Sequence, residues 1–357
     1  MSTAKDNKNL TISAVRGIAI ILVVLGHVIQ RTMAASGADF FLNPAFKMIY
    51  TFHMPLFVFI SGYLMAYSLN RRNVSEVFRA KCKGLLVPFV AWGILEALTF
   101  YLLNAVDGKA VNIFNFPWDA LDQLLLHPSI WFLFTLFILS CLLLCSIKLQ
   151  ERLGKMIFVA AYFLILLLPY NDYCSLYYIK WFYLFFMAGY FINHAGIKIT
   201  NKAAQKAAAF VLLIVFVVLA SFWTKNDYIY INKMNFLPGQ YFGEVLRLVY
   251  RYVVGFLGIG ITFYIGACLA KTKAGRLLGY VGVYSLDIYL IQRYIVEGFY
   301  PRVAAKVHIN FDFNSLFFLG FFAPLLSAFF IFLCILISQQ LIRRSQVLNR
   351  LLLGGRI

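Results

Sequence analysis

Apolar runs of about 20 residues recur from one end of this chain to the other, each the length that an α-helix needs to cross a hydrocarbon core. Of the 357 residues, 62% are hydrophobic and 13% charged, more apolar side chain than a water-soluble domain can hide in one core. With lipid as the solvent, backbone polar groups must pair inside each segment, which leaves helices as the spanning element. The pattern predicts an all-α, polytopic transmembrane helix bundle with about ten spans, near 11–30, 46–69, 85–106, 130–148, 155–170, 178–195, 207–224, 245–269, 277–297 and 315–338. No Pro/Gly/Ser linker, short-period repeat or soluble module interrupts the series, so residues 1–357 read as a single integral-membrane domain.

A formal charge of +18 invites a nucleic-acid reading, but the cations sit in short clusters between apolar runs. Arg71, Arg72, Arg79, Lys81 and Lys83 form one, Lys148, Arg152 and Lys155 another, Lys198, Lys202 and Lys206 a third. Lys271, Lys273 and Arg276, then Arg343, Arg344, Arg350 and Arg356, complete the series on alternate connections, while Arg31, Lys47 and Lys109 are scattered on the opposite ones. That asymmetry puts both termini in the cytoplasm, with membrane lipid and no nucleic acid as partner. The run Thr11 to Gln30 is too long for a signal-peptide core and should remain as a span. Cys82, Cys141, Cys145, Cys174, Cys268 and Cys334 show neither a CxxC pair nor framework spacing, so free thiols are expected and no metal site.

The outward connections carry aromatics among Asn, Asp and Pro: Phe114 to Trp118, Tyr228-Ile229-Tyr230, and Phe311-Asp312-Phe313. Such rings can stack on sugars, or they can form the aromatic belt common at membrane surfaces.

Ionisable groups inside spans cost free energy unless paired or hydrated, and so mark candidate sites. Arg16 and His27 are eleven residues apart, about three turns plus 20°, which places them on one face with a rise of about 16 Å. If the first span runs outward, Arg16 lies near the cytoplasmic surface and His27 in the outer half. His53, in the second span, should reach a similar depth; Pro55 follows it as a helix-kinking residue, and Gly62 permits close helix approach. Each histidine alone fits a buried ring bonded to backbone; with Arg16 on the same face they read as functional. Glu96 and Asp287 are expected as counter-charges for Arg16, or for Arg247 and Arg251, which lie one turn apart. Arg247 and Arg251 can alternatively meet an acceptor phosphate or carboxylate.

These residues carry a resemblance. Arg16 to His27 is similar to the Arg-x10-His signature of the acyltransferase 3 family of membrane sugar O-acyltransferases, and Phe52-His53-Met54-Pro55-Leu56-Phe57 through Ser61-Gly62-Tyr63-Leu64 resembles its second-span motif in the branch like fucose 4-O-acetylases. Trp131-Phe132-Leu133 resembles that branch's WFL segment, and Ser285-Leu286-Asp287-Ile288-Tyr289-Leu290 its late SxxIYLxH segment. Ser13 stands where relatives usually carry Asp, and Gln292 where many carry His.

The resemblance implies an enzyme with acyl-CoA, foremost acetyl-CoA, as donor and a glycan hydroxyl as acceptor, in the inner membrane of a bacterial cell. Thioester cleavage by an alcohol needs a base, and imidazole titrates near neutrality. His27 either deprotonates the acceptor or carries the acyl group as a nucleophile. Arg16, Lys81 and Lys83 are expected at CoA phosphates, His53 and Ser61 beside His27 or the thioester, and Trp131, Arg247 and Arg251 at the acceptor. A transporter or flippase of lipid-linked glycan, a glycan polymerase and a membrane scaffold are the rival classes: the first lacks support from paired broken helices in matching halves, the second from a large outer loop, and the third does not explain the polar face of the first span.

Overall fold

The computed structural model describes residues 2–106, 113–125, 130–167, 176–195, 202–233, 239, 241–307 and 311–355, and every regular element among them is helical. Lys109, Cys174, Lys198 and Arg356 lie outside the described residues. In chain order the helices are α1 (Ser2–Ala35), α2 (Pro44–Leu69), α3 (Val74–Lys81), α4 (Val87–Val106), α5 (Phe116–Leu125), α6 (Trp131–Leu153), α7 (Ile157–Leu166), α8 (Leu176–Ala195), α9 (Lys202–Ser221), α10 (Tyr241–Leu269), α11 (Lys273–Val283), α12 (Ser285–Gln292), α13 (Tyr300–Val307), α14 (Ala323–Ile337) and α15 (Gln346–Leu353).

Among the described residues, six stretches are long and apolar enough to cross a membrane: Leu10–Ala35, Pro44–Leu69, Val74–Thr99, Trp131–Leu153, Tyr241–Leu269 and Phe318–Ile342. The other expected spans differ for identifiable reasons. Ile157–Leu166 and Gln205–Ser221 are apolar but short. α8 has full length but carries Lys180, Asn193 and His194 among its tyrosines. The expected 277–297 span is a broken helix: α11 stops at Val283, Tyr284 leaves helical geometry (φ −88°, ψ 9°), α12 restarts at Ser285, and Arg293–Phe299 continues as a wider π turn.

The chain separates into two compact units. The first holds Met1–Ile60, Ala195–Asn232 and Phe236–Gln340. Here α1 is the central post, packed by α10, α11, α12, α13 and α14. Ala14, Val15, Ala19, Ile20, Val24 and Val28 are buried on several sides of α1, as expected of a helix packed by neighbours on more than one face.

The second unit holds Ser61–His194, Lys233–Asn235 and Leu341–Ile357. α4 packs on α5 and on the C-terminal α15, where the Trp92 indole N–H donates to the Leu352 carbonyl (2.8 Å). An Asn73–Glu76 capping box starts α3, satisfying end amides that lipid cannot. Pro55 lies inside α2 without ending it. Gly62 has the packing role expected of it, since a Cβ there would fall 1.9 Å from the Phe186 carbonyl oxygen on α8.

Candidate active site

The first unit gathers His27 and His53 around one tyrosine. Gly26 precedes His27, and a Cβ at that position would meet the Tyr50 ring at 2.8 Å. The missing side chain lets Tyr50 lie against α1, with its hydroxyl 3.4 Å from His27 Nδ1 and donating to Gln30 Oε1 at 3.2 Å. Phe46 stacks on Tyr50 at 3.9 Å, and the edge of His53 meets it at 4.6 Å. A carbonyl only accepts, so the 2.8 Å contact of His53 Nδ1 with the Ile49 oxygen puts that ring's proton on Nδ1. His53 is 3% exposed, a buried ring tied to its own helix.

Glu297 is the residue that sequence reasoning missed. Its Oε1 stands 3.7 Å from His27 Nε2, close enough for charge and too far for a direct hydrogen bond. Arg31 Nη2 (3.2 Å) and Arg293 Nη1 (2.7 Å) donate to Oε2, and Gln292 Nε2 (3.1 Å) to Oε1. Gln292 and Glu297 are five residues apart, which in an α-helix separates side chains by about 140°. The Arg293–Phe299 π turn, whose bonds close from i to i+5, stacks them on one face. A reading at 3.6 residues per turn therefore could not join them. The signal available was a lone Glu closing an apolar run, four residues after an Arg.

Either atom of the Tyr50–His27 contact can donate, according to the imidazole tautomer. With the Tyr50 proton on Gln30 Oε1, Nδ1 carries the imidazole proton and the Nε2 lone pair faces the gap beside Glu297. An imidazolium formed at Nε2 is met by a carboxylate already held by two guanidiniums and an amide.

Arg16, three turns below on α1, donates to Ser285 Oγ (2.8 Å), the first residue after the helix break. The opening motif and the late Ser285 segment thus meet in space. Asp287, 1% exposed, accepts from the Ser338 hydroxyl.

Arg247 and Arg251 correct another expectation, since their partners are neither Glu96 nor Asp287. Arg247 pairs with Glu244 (2.5 Å) and Asp227 (3.4 Å). Arg251, 1% exposed, donates to the backbone carbonyls of Asp227 (2.8 Å), Asn226 (2.9 Å) and Asn232 (3.1 Å). The acids come from the connection before α10 and from its own first turn, which a search confined to spans overlooks. Within that connection Tyr228 is 2% exposed, and burial pushes the Tyr228 and Tyr230 hydroxyls well above the usual phenol range, so both are neutral. By contrast Phe114 and Trp118 are 84% and 72% exposed, the pattern of an interfacial belt.

Ser61, Lys81, Lys83 and Trp131 belong to the second unit. Lys81 ends α3 and Lys83 sits, exposed, in the π turn Cys82–Leu86. Trp131 opens α6 with one face stacked on Tyr178 at 3.7 Å. Ser61 is half-buried on α2.

The family model of the acyltransferase 3 family, described as an acyltransferase domain, matches residues 9–351 and so runs through both units. The chain is 27% identical over 297 residues to the Nodulation protein NolL of Sinorhizobium fredii, covering 82% of this chain and 79% of that protein. It is 34% identical over 139 residues to the Nodulation protein NolL of Mesorhizobium japonicum, covering 37% of this chain and 34% of the relative. No solved structure matches.

Proposed function

This chain belongs to the acyltransferase 3 family and is a membrane acyltransferase, and from that premise we propose that it moves an acetyl group from cytoplasmic acetyl-CoA to a hydroxyl of a cell-surface or lipid-linked glycan. The observation that carries this reading is the His27 environment: Nδ1 oriented by Tyr50, Nε2 open beside Glu297. His27 Nε2 takes the proton of the acceptor hydroxyl as its oxygen attacks the thioester carbonyl. The C–S bond then breaks, and the imidazolium returns the proton to the departing thiolate of CoA. Glu297 stabilises the imidazolium between these steps, and Tyr50 holds the tautomer, as the third member of a hydrolase triad does. His53 supports Tyr50 from below.

Arg16 is assigned to the donor, with Lys81 and Lys83 as further cations for CoA phosphates and Ser61 beside the thioester path. Trp131 and Arg247 are assigned to the acceptor. Arg251, three of whose N–H groups end on backbone carbonyls, serves the acceptor side through the connection it holds. The arrangement we favour has ten spans in one domain, both termini in the cytoplasm, and the bacterial inner membrane as its site, so that CoA itself stays inside. The α7, α8, α9 and α11–α12 segments supply the crossings beyond the six long apolar ones.

The test uses purified full-length protein in detergent with radiolabelled acetyl-CoA, alongside mass spectrometry of surface glycans from cells with and without it. Label transfer to glycan that disappears in His27→Ala supports the reading. Identical acylation of the glycan in cells lacking the protein sinks it.

A further inference from the structure

An aromatic roof lies over Tyr50, and its polar atoms are left over. Tyr228 packs on Phe41, Phe46, Tyr50 and Trp223 with ring centroids 5.1, 5.9, 6.3 and 5.9 Å away, and on Tyr230 at 5.6 Å. Among the described residues, the hydroxyls of Tyr228 and Tyr230 and the indole N–H of Trp223 are buried and hydrogen-bonded to nothing. At the Glu297 end of the same site, the side-chain carbonyl oxygen of Gln292 is buried without a partner as well. Buried polar groups are nearly always satisfied in folded proteins, because each one left alone subtracts from stability. Phenylalanine would fill the same space at Tyr228 and Tyr230 without that cost. These orphaned donors gather beside Tyr50, whose hydroxyl lies 3.4 Å from His27 Nδ1, and are groups that a polar ligand can satisfy.

The roof is also held rigidly. Arg251 clamps the carbonyls of Asn226, Asp227 and Asn232 on either side of Tyr228 and Tyr230, and Asp227 accepts from the Thr224 amide and hydroxyl (2.8 and 2.6 Å). A preordered loop presenting donors among ring faces suits a ligand with an apolar face and a rim of hydroxyls. A sugar ring has that chemistry.

We propose that this roof is the acceptor subsite, in which the Tyr228 and Tyr230 hydroxyls and the Trp223 indole N–H bind hydroxyl groups of the sugar and so choose which one faces His27. The assignment rests on the acyl-transfer reading above. Tyr50 links the two parts, one ring from Tyr228 and in contact with His27 Nδ1.

The experiment compares wild type, Tyr228→Phe, Tyr230→Phe and the double variant, with acetyl-CoA as donor and, as acceptor, the glycan and glycolipid extract of cells lacking this protein. Thermal unfolding without substrate is followed in parallel. The expected result is an acceptor KM raised roughly threefold to tenfold per hydroxyl, more in the double variant, with kcat within a few-fold of wild type. The melting temperature should hold or rise, because an unpaired group has been removed. Acceptor KM insensitive to both substitutions overturns the proposal. So does a lowered melting temperature with unaltered KM, the outcome if ordered water alone occupies the roof. A raised acetyl-CoA KM would move the roof to the donor side and overturn it equally. Absence of transfer by wild-type protein would sink the parent reading instead, a result distinct from any of these.

Discussion

Two arginine networks lie in the same helical unit, and they differ in what their donors have left to do. Around Arg251, side-chain nitrogens end on the carbonyls of Asn226, Asp227 and Asn232, and the guanidinium is sealed from solvent. Around Glu297, Arg31 and Arg293 are each 32% exposed and share one carboxylate, whose other oxygen stands 3.7 Å from a histidine that it does not touch. The first network is closed, and its energy goes into holding a loop. The second is held by two arginines on one oxygen and by the Gln292 amide on the other, with that other oxygen still facing His27, which is how a charge is prepared for a proton that arrives during a reaction. Buried cations by themselves do not distinguish the two; the identity of the acceptor atoms does.

The sharpest way to break this contrast is His27→Ala. Loss of the base should lower acetyl transfer by about 10²- to 10⁴-fold while the protein stays inserted and folded; transfer within a few-fold of wild type would remove His27 from the chemistry. Arg251→Met should act on folding, lowering stability by about 3 kcal/mol because three buried carbonyls lose their charged donor. Thermal unfolding in detergent reads this, and an unshifted melting temperature with weakened acceptor binding would make Arg251 a ligand-binding residue. Glu297→Gln keeps the shape and removes the charge, and should cut kcat by roughly 10- to 100-fold with little change in acceptor KM. If kcat is unaffected, the carboxylate serves only to pair Arg31 and Arg293. Arg16→Ala should raise the acetyl-CoA KM by about tenfold, the contribution of one charge-assisted contact, and unaltered donor affinity would confine Arg16 to holding Ser285. Arg247→Ala should lower stability by about 1 kcal/mol, since it takes one guanidinium from the largely buried Glu244 and Asp227 carboxylates; an unshifted melting temperature would leave Arg251 as the sole strut of that connection.

Much of the site was readable at the level of single helices. Arg16 and His27 follow from a helical period applied to polar residues in an apolar run, and the motif Phe52-His53-Met54-Pro55 marks the second helix. Gly26 gains its meaning only with Tyr50 beside it, because a glycine in a sequence does not say which ring needs the room. Glu297 stayed hidden because the π turn changes the period where it sits, so an α-helical projection points it away from Gln292. The partners of Arg247 and Arg251 stayed hidden because they lie in a connection and a helix cap, outside the apolar runs where buried charge was sought.

By itself the sequence determined that this chain is helical, lives in lipid and carries a cation and an imidazole on one stripe of its opening helix, because apolar length and local periodicity are properties of neighbours along the chain. Which carboxylate answers His27, which hydroxyl orients it and which arginine is only a strut were decided by the tertiary structure. Those pairings join residues up to 270 positions apart, among them His27 with Glu297 and Arg16 with Ser285. Their energies depend on distance in space and on burial, and neither quantity is written in the order of the residues.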